Sequence, residues 1–405
     1  MISLYHQFSI GGSGDDRAHS IIETSVGDLV IAGRTLSSDG DVSVNNGSGD
    51  YWVVKSKVNG DIQWQKSFGG SGYDWASSII QTSDGGYAIA GTSESDDGDV
   101  SGNMGGQDCW IVKLTASGII EWQKPLGGSA DERANSIIQT TDGGYAFVGF
   151  TNSNDGIVSL NHGRSDIWLV KLDKNGNIEW QKSLGGSDYD YGLDIIQTSD
   201  GGYAIAGHSK SNDGNLSVNY GFHDYWILKL DSQGVIEWQQ SYGGSQTEEC
   251  NSIIQTSDGG YALAGYTLSS DGNVSLNHGF EDFWVVKLNS HGAIDWQKSL
   301  GGSENDRAFS IIQTSDDGFA IAGRSHSNDS DVSGNHGEYD YWVVKLSFNG
   351  AIEWQKSSGG SRSDHAYSII QTSNGKYAIA GMSKSDNGEV SSNLGTFDWW
   401  IVILE

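Results

Sequence analysis

The stretch DGDVSGNMGGQDCW, residues 97–110, spaces oxygen-bearing side chains in the manner of a calcium-binding loop. Asp97, Asp99, Ser101, Asn103 and Asp108 stand at relative positions 1, 3, 5, 7 and 12. Calcium loops hold the ion through oxygen ligands at such alternating positions. The same residue types also form Asx turns, in which a side chain bonds the nearby backbone. The stretch therefore raises two hypotheses, a metal site or a device for turning the chain.

Related loops recur along the chain at an interval of 58 residues, beginning at Asp39, Asp97, Asp155, Asp213, Asp271, Asp329 and Asn387. Relative position 3 is Ile157 in the third copy, which cannot ligate a cation. Most copies also lack the glycine that an EF-hand loop needs at position 6. Asx turns explain the shared residues more economically, and no cofactor is required. Calcium is the alternative in the first, second and sixth copies, with the ligands Asp39, Asp41, Asp97, Asp99, Asp329 and Asp331.

Two further sets of carboxylates recur at fixed places. The first set stands three residues after the serine of each GGS motif and comprises Asp16, Asp74, Glu132, Asp190, Glu248, Asp306 and Asp364. The second set stands two residues before a recurring tryptophan and comprises Asp50, Asp108, Asp166, Asp224, Asp282, Asp340 and Asp398. Buried loop acids commonly accept backbone N–H bonds. We therefore interpret both sets as structural acidic rings.

The residues beside these acids differ from copy to copy. The residue after each first-ring acid is often arginine or aromatic, and the residue four positions before each second-ring acid is often histidine. Such side chains are favoured at recognition surfaces, although drift on a tolerant surface would give the same variation. The predicted ligand-binding residues are Arg17, Trp75, Arg133, Tyr191, Arg307, His365, His162, Tyr220, His278 and His336.

Four short apolar runs in each repeat read as β-strands, which we name A to D. In the second repeat, SSIIQT and YAIAGTS flank the tight-turn signal SDGG, and CWIVKL and IIEWQK flank TASG. The B–C and D–A connections are longer than the A–B and C–D turns. In an up-and-down blade the two long loops open on one face, so that face carries both acidic rings and the varying residues.

The two ends of the chain each supply part of one blade. Residues 2–10 match a strand D, and the chain closes on a strand C at residues 398–405. Pairing them would close a ring and protect both strand edges, whereas an open solenoid needs polar caps. The sequence therefore predicts an all-β, seven-bladed β-propeller of four-stranded antiparallel blades. We expect one domain over residues 1–405, with residues 2–10 completing the last blade.

Tryptophan recurs in strand C and in strand D, opposite the small residues of the YAIAG runs. Large side chains facing small ones predict interlocking blade faces, so we interpret the tryptophans as structural. Stacking on sugars is the alternative use of such an aromatic stripe.

Composition excludes several classes of function. The net charge of −29 repels nucleic acid and anionic membranes. No apolar run is long enough to span a bilayer, and the N-terminus lacks the pattern of a signal peptide. Cys109 and Cys250 occupy non-equivalent repeat positions, which gives no support for a disulfide. We expect a monomer that neither binds nucleic acid nor inserts into membranes.

The DGGYxxAG hairpins and DxWxVKLxxxGxIxWxK strand pairs resemble the β-propeller repeats of secreted and surface proteins of bacteria. This resemblance covers the whole chain and implies a secreted or cell-surface bacterial origin, without fixing a compartment. It implies no particular activity, because one fold hosts many functions. The TSDGGYAIAG hairpin is also similar to the Asp-box of sialidases but lacks the following Thr-Trp, so no sialidase site is carried over.

Arginine is confined to one face in this scheme. All seven arginines lie in or beside the D–A and B–C loops, at Arg17, Arg34, Arg133, Arg164, Arg307, Arg324 and Arg362. Because the guanidinium fork suits carboxylate, phosphate or sugar groups, we predict a non-catalytic scaffold that binds a protein or glycan partner on this loop-rich face. The alternatives are a multivalent lectin, with or without calcium, and a glycan hydrolase or lyase with His162, His278 or His336 as base.

Overall fold

The computed structural model describes residues 2–216 and 218–405, which form seven four-stranded antiparallel sheets. Strand β1 is Leu4–Ile10. The first three blades are β2 (Arg17–Glu23), β3 (Leu29–Thr35), β4 (Asp50–Ser56) and β5 (Ile62–Phe68); β6 (Asp74–Gln81), β7 (Tyr87–Ser93), β8 (Asp108–Leu114) and β9 (Ile120–Leu126); and β10 (Glu132–Gln139), β11 (Tyr145–Thr151), β12 (Asp166–Leu172) and β13 (Ile178–Leu184).

The next three blades are β14 (Asp190–Gln197), β15 (Tyr203–Ser209), β16 (Asp224–Leu230) and β17 (Ile236–Tyr242); β18 (Glu248–Gln255), β19 (Tyr261–Thr267), β20 (Asp282–Leu288) and β21 (Ile294–Leu300); and β22 (Asp306–Gln313), β23 (Phe319–Ser325), β24 (Asp340–Leu346) and β25 (Ile352–Ser358). The seventh contains β26 (Asp364–Gln371), β27 (Tyr377–Ser383) and β28 (Asp398–Leu404). These sheets confirm the predicted seven-bladed propeller.

The seventh blade is completed by the N-terminal strand. Strand β1 pairs antiparallel with β28, in a register that runs from Leu4 opposite Leu404 to Ile10 opposite Trp399. The Trp400 indole also donates a hydrogen bond of 2.8 Å to the Gln7 side chain. The predicted closure of the ring by residues 2–10 is therefore confirmed.

Strand A of each blade is the innermost strand, because it contacts strand A of both neighbouring blades. Serine side chains link these strands around the ring. For example, the Ile79 N–H donates to Ser20 at 3.3 Å, and the Ile21 N–H donates to Ser368 at 3.3 Å across the closing junction. The seven innermost strands thus surround a central channel that opens on the loop-rich face where each of them begins.

The apolar core lies between blades rather than within them. One cluster joins Ala146 and Val148 of the third blade to Leu228 and Trp226 of the fourth. Trp226 is fully buried, and its indole donates a 2.6 Å hydrogen bond to Gln239. The strand C tryptophans are thus buried between blades opposite small residues, as the alternation of large and small side chains predicts.

Strand A is irregular near its start, which changes the direction of its side chains. The register between strands A and B shifts once in every blade, for example between Ala134 and Ser136. Such bulges bend a strand and redirect the neighbouring side chains. The first side chains of each innermost strand therefore do not follow the alternation of the rest of the strand.

Both cysteines, Cys109 and Cys250, are buried free thiols. Among residues 2–216 and 218–405, no helix is long and apolar enough to cross a membrane.

Candidate functional site

Six of the predicted ligand-binding residues lie at the start of the innermost strands, around one opening of the channel. We call this opening the channel mouth and define it by the residue after each first-ring acid and its cross-strand neighbour. The seven pairs are Arg17 and Arg34, Trp75 and Thr92, Arg133 and Phe150, Tyr191 and His208, Glu249 and Tyr266, Arg307 and Arg324, and His365 and Met382. The fold thereby brings residues that vary between repeats into one surface.

The first blade contributes two arginines that share one carboxylate. Arg17 makes two hydrogen bonds of 2.7 Å to Asp15, and Arg34 approaches the same carboxylate at 3.4 Å. Burial acts to raise the pKa of Asp15, but the Arg17 and Arg34 guanidinium groups hold it below its ordinary value. The two guanidinium groups of this blade thus share a single carboxylate.

An aromatic surface follows on the second to fourth blades. The Arg133 guanidinium lies over the Trp75 ring, 5.0 Å from its centroid, and bonds Gln107 at 2.9 Å. Phe150 packs edge-on against Tyr191, with ring centroids 4.9 Å apart. Stacked cations and aromatic rings hold one another in fixed positions, so this side of the mouth presents half-buried planar faces.

On the sixth blade, Arg307 and Arg324 differ in their pairing. Arg307 forms a bidentate ion pair with Glu281 and lies over the Tyr266 ring at 4.3 Å. Arg324 lies over the Tyr339 ring at 4.6 Å. Its Nη1 is 3.3 Å from Nδ1 of His365, and among the described residues it forms no ion pair.

The surroundings of Arg324 suit an anion. Burial lowers the pKa of Arg324, with nearby Arg307 acting in the same direction. Burial also lowers the pKa of His365 to about 3, so this imidazole is neutral near pH 7. His365 therefore carries no positive charge that could pair with an anion. Arg324 Nε is buried and has no hydrogen-bond partner among the residues that the structure describes. A carboxylate placed beside the guanidinium would supply the missing negative charge.

The other four predicted ligand-binding residues lie in B–C loops, away from the channel mouth. His162, His278 and His336 each place Nδ1 against the second-ring acid of their own blade, at 2.5, 2.8 and 2.6 Å. His278 lines a groove of about 390 Å³ on the outer flank, together with the outermost strand β21. Tyr220 lines a comparable outer groove beside β17. The ten residues thus divide between the mouth and the perimeter.

The first acidic ring fixes the D–A loops. Glu132, for example, accepts the Gly128 N–H at 2.6 Å, the Thr151 hydroxyl at 2.8 Å and the Ser153 N–H at 3.1 Å. These bonds connect the GGS turn to the end of strand B. Contacts of this kind are those that a structural role requires.

Each second-ring acid accepts one backbone N–H through Oδ2, whereas its buried Oδ1 has no partner. Asp108, for instance, accepts the Met104 N–H at 2.7 Å. A Cβ added at Gly127 would stand 2.4 Å from Asp108 Oδ1 and 2.5 Å from the Glu132 carboxylate, so only glycine fits between the two rings. Burial raises the pKa of Asp108 to about 6 and that of Asp224 to about 7, with the neighbouring acid of the first ring adding to the effect.

The loop acids proposed for calcium bond the backbone of the preceding D–A loop. Asp97 accepts the Ser71 N–H at 2.6 Å, and Asp99 accepts the Gly69 N–H at 3.3 Å. Asp329 and Asp39 accept the equivalent bonds at 2.8 and 2.7 Å. In residues 2–216 and 218–405 these acids belong to no group of three carboxylate, imidazole or thiol ligands close enough to share an ion. Calcium binding here stays a prediction.

The sequence prediction omitted three residues of the mouth, Phe150, His208 and Tyr266, and the neighbouring His223. Phe150, His208 and Tyr266 directly follow the glycine that ends the YAIAG run, and His223 immediately precedes a second-ring acid. Both positions vary between repeats as strongly as the start of strand A does. That variation is the sequence signal that could have identified them.

No family model matches the chain. The regulatory protein FlaEY of Caulobacter vibrioides is 27% identical over 244 residues, which are 56% of this chain and 24% of that protein. The chain thus spans about a quarter of the length of this relative.

Solved propellers are similar in fold. The WD40 domain of Neurospora crassa Pan2 has a TM-score of 0.53 at 10% sequence identity, covering 99% of this chain and 97% of that one. A protein of unknown function from Dyadobacter fermentans has a TM-score of 0.51 at 13% identity, covering 100% and 99%. At such low identity these likenesses show the β-propeller fold and nothing further.

Proposed function

We propose that the protein is a non-catalytic binding scaffold that recognises a protein or glycan partner at the channel mouth, with an acidic group of the partner bound by Arg324. The observation that carries this proposal is the meeting of blade-specific arginine and aromatic side chains at one opening of an otherwise repetitive frame. A propeller scaffold fits a binding role, and its loop-rich face is where such roles are commonly placed.

Arg324 supports the choice of an acidic group. A half-buried guanidinium without an ion pair loses hydration and gains no Coulomb attraction in return. A carboxylate from a partner would supply that attraction through charge-assisted hydrogen bonds. Tyr339 and Phe309, with ring centroids 4.6 and 5.8 Å from the guanidinium carbon, would flank the bound group.

The total charge of the protein limits the kind of partner. With a net charge of −29, the long-range field opposes any extended polyanion. An isolated carboxylate on a largely neutral glycan or peptide escapes most of this repulsion, because its attraction to Arg324 acts at short range. The proposal therefore favours partners with one or a few acidic groups.

A multivalent lectin would need seven equivalent sites. The seven positions that open the innermost strands hold five residue types, namely three arginines and one each of tryptophan, tyrosine, glutamate and histidine. We expect the mouth to act as one composite site, so that binding saturates near one partner per chain. Saturation near seven would favour the lectin.

Exposed aromatic side chains extend the proposed surface. Phe222 and Phe280, on the long loops of the fourth and fifth blades, are 63% and 61% exposed. Large exposed aromatic residues on a loop-rich face are typical of contact surfaces for other molecules. They would contact a partner larger than the group bound in the mouth.

The test begins with an array of acidic and neutral glycans and a pull-down from cell extract, which supply a partner for titration. Binding is then measured for Arg324→Ala, with Arg362→Ala as the control, since Arg362 is an exposed arginine of a D–A loop outside the mouth. We expect Arg324→Ala to weaken binding by at least about tenfold, because hydrogen bonds to charged groups contribute about 1.5–3 kcal/mol.

Stability distinguishes this outcome from damage to the fold. Removing a half-buried, unpaired charge should leave the melting temperature unchanged or raise it. Equal binding by wild type and Arg324→Ala would contradict the proposal, as would an equal loss in Arg362→Ala.

A further inference from the structure

At the junction of the fourth and fifth blades, three potential metal ligands lie together beside the channel mouth. His208 belongs to strand β15, His223 immediately precedes β16, and Glu249 is the second residue of β18. One donor atom from each lies within 4.8 Å of the others. Nδ1 of His223 is 4.0 Å from the Glu249 carboxylate, and the two imidazole centroids are 5.2 Å apart.

We propose that His208, His223 and Glu249 bind one first-row divalent cation, for which Zn2+ is the best match. Two imidazoles and one carboxylate are ligands that zinc accepts, and three protein ligands leave a fourth position for water or a ligand oxygen. This site is independent of the acidic group proposed to bind Arg324.

Unpartnered buried nitrogen atoms point to a missing ligand. His208 is only 6% exposed, and its Nδ1 has no hydrogen-bond partner among residues 2–216 and 218–405. Nε2 of His223 is likewise buried without a partner in the described part of the chain. Buried polar atoms are nearly always bonded, so such a pair needs an explanation. A cation between the two rings would provide one.

The backbone holds the two blades in register at this point. His223 and Thr247 form a parallel β-bridge, and the Glu248 N–H donates to the His223 carbonyl at 2.6 Å. His223 and Glu249 therefore keep their relative positions without help from an ion. Zinc–nitrogen bonds of about 2.1 Å place the donor atoms of a tetrahedral site about 3.4 Å apart. Side-chain rotations that move the donor atoms by about an ångström would therefore complete the site.

The charges around the cluster allow a cation. Two neutral imidazoles and one carboxylate give a net negative charge. The nearby Arg307 is already paired with Glu281. Lys210 lies close to His223, but it pairs with Asp188 at 3.7 Å. Arg307 thus has a carboxylate partner of its own, whereas Lys210 shares Asp188 with Arg164.

The cluster occurs in one of the seven blade junctions. The positions equivalent to His208 hold Arg34, Thr92, Phe150, Tyr266, Arg324 and Met382. Those equivalent to His223 hold Gly49, Gln107, Ser165, Glu281, Tyr339 and Phe397. The repeat frame therefore does not require these histidines, which is the asymmetry expected of a specific site.

The experiment uses the whole chain, stripped with a chelator and titrated with zinc chloride by calorimetry and by thermal melts. Two variants take residues from equivalent positions of other blades, His208→Met and His223→Gln. The third, Glu249→Gln, keeps the size of the side chain and removes its charge. His336→Ala removes an exposed histidine that contacts the buried Asp340 of another blade, and it is the control. We expect the wild type and the control to bind one zinc ion per chain with a rise in melting temperature.

Each of the three ligand variants should lose at least about 100-fold in zinc affinity while keeping the melting temperature of the stripped wild type. Substituting Co2+ should give the strong visible absorption of a tetrahedral site in the wild type and not in Glu249→Gln. Absence of zinc uptake by the wild type would overturn the proposal. Uptake that survives in Glu249→Gln and His223→Gln would also overturn it, by placing the ion elsewhere.

Discussion

Replacing Trp226 by alanine tests whether the stability of the propeller depends on the interlocking of neighbouring blades. Trp226 is fully buried and packs with Ala146 and Val148 of the preceding blade. Replacing a buried tryptophan by alanine lowers the free energy of unfolding by about 3–5 kcal/mol. The loss combines the transfer free energy of the removed atoms with the cost of the cavity, which the surroundings fill only in part. The small side chains opposite it belong to a rigid strand and cannot move in to fill the space.

Trp226→Phe separates packing from hydrogen bonding. This variant keeps an aromatic ring but removes the N–H that donates to Gln239 at 2.6 Å. We expect it to cost about 1 kcal/mol through the lost hydrogen bond, with a further contribution from the smaller ring. Trp180→Ala, the same substitution at a half-buried outermost position, should cost less than Trp226→Ala.

Equilibrium unfolding in urea, followed by tryptophan fluorescence and far-UV circular dichroism, measures the three free energies. A loss of less than about 1 kcal/mol in the free energy of unfolding for Trp226→Ala would refute burial between blades, because removing a fully buried aromatic side chain destabilises a protein by more than that. An equal cost for Trp180→Ala and Trp226→Ala would show that position within the blade does not matter, against the packing described above.

Three other predictions concern ring closure, pH and calcium. Deleting residues 1–10 removes β1 and exposes the edge of β28, so we expect aggregation or a large fall in melting temperature; an unchanged, monomeric protein would contradict closure. Burial raises the pKa of Asp224 from its ordinary 3.8 to about 7, so the unfolded chain loses this proton near pH 4 but the folded protein only near pH 7, and the wild type loses stability between these two values. The stability of Asp224→Asn relative to wild type should therefore increase between pH 5 and pH 7 and level off above pH 7, and a difference independent of pH over this range would show that Asp224 is ionised throughout. Because Asp97 and its equivalents already bond the backbone, millimolar calcium should hardly change the melting temperature, whereas a site filled at a hundred times its dissociation constant would add about 2.7 kcal/mol.

The sequence by itself determined the propeller because local signals recur with the repeat. Turn motifs such as SDGG, the alternation of YAIAG with the strand C tryptophans, and the strand D at residues 2–10 each specify an element without knowledge of its neighbours. Their spacing then leaves little choice of topology, since every blade must bury both faces and the ends must pair. The hydrogen bonds of the acids could also be predicted from the sequence, because a carboxylate at the start of a loop commonly accepts hydrogen bonds from the backbone next to it.

Only the tertiary structure decided which varying residues share a surface. The sequence predicts that His278 and Arg307 lie on the same face. In the structure Arg307 lies on an innermost strand at the channel mouth, whereas His278 lines an outer groove. The bulge in strand A changes the direction of the side chains at its start, so periodicity cannot tell which of them face the channel. His208 and Glu249 are far apart in the chain, and they meet because the bridge between His223 and Thr247 fixes how one blade follows the next. Such contacts depend on the rotation between adjacent blades, a property of the closed ring that no single repeat contains.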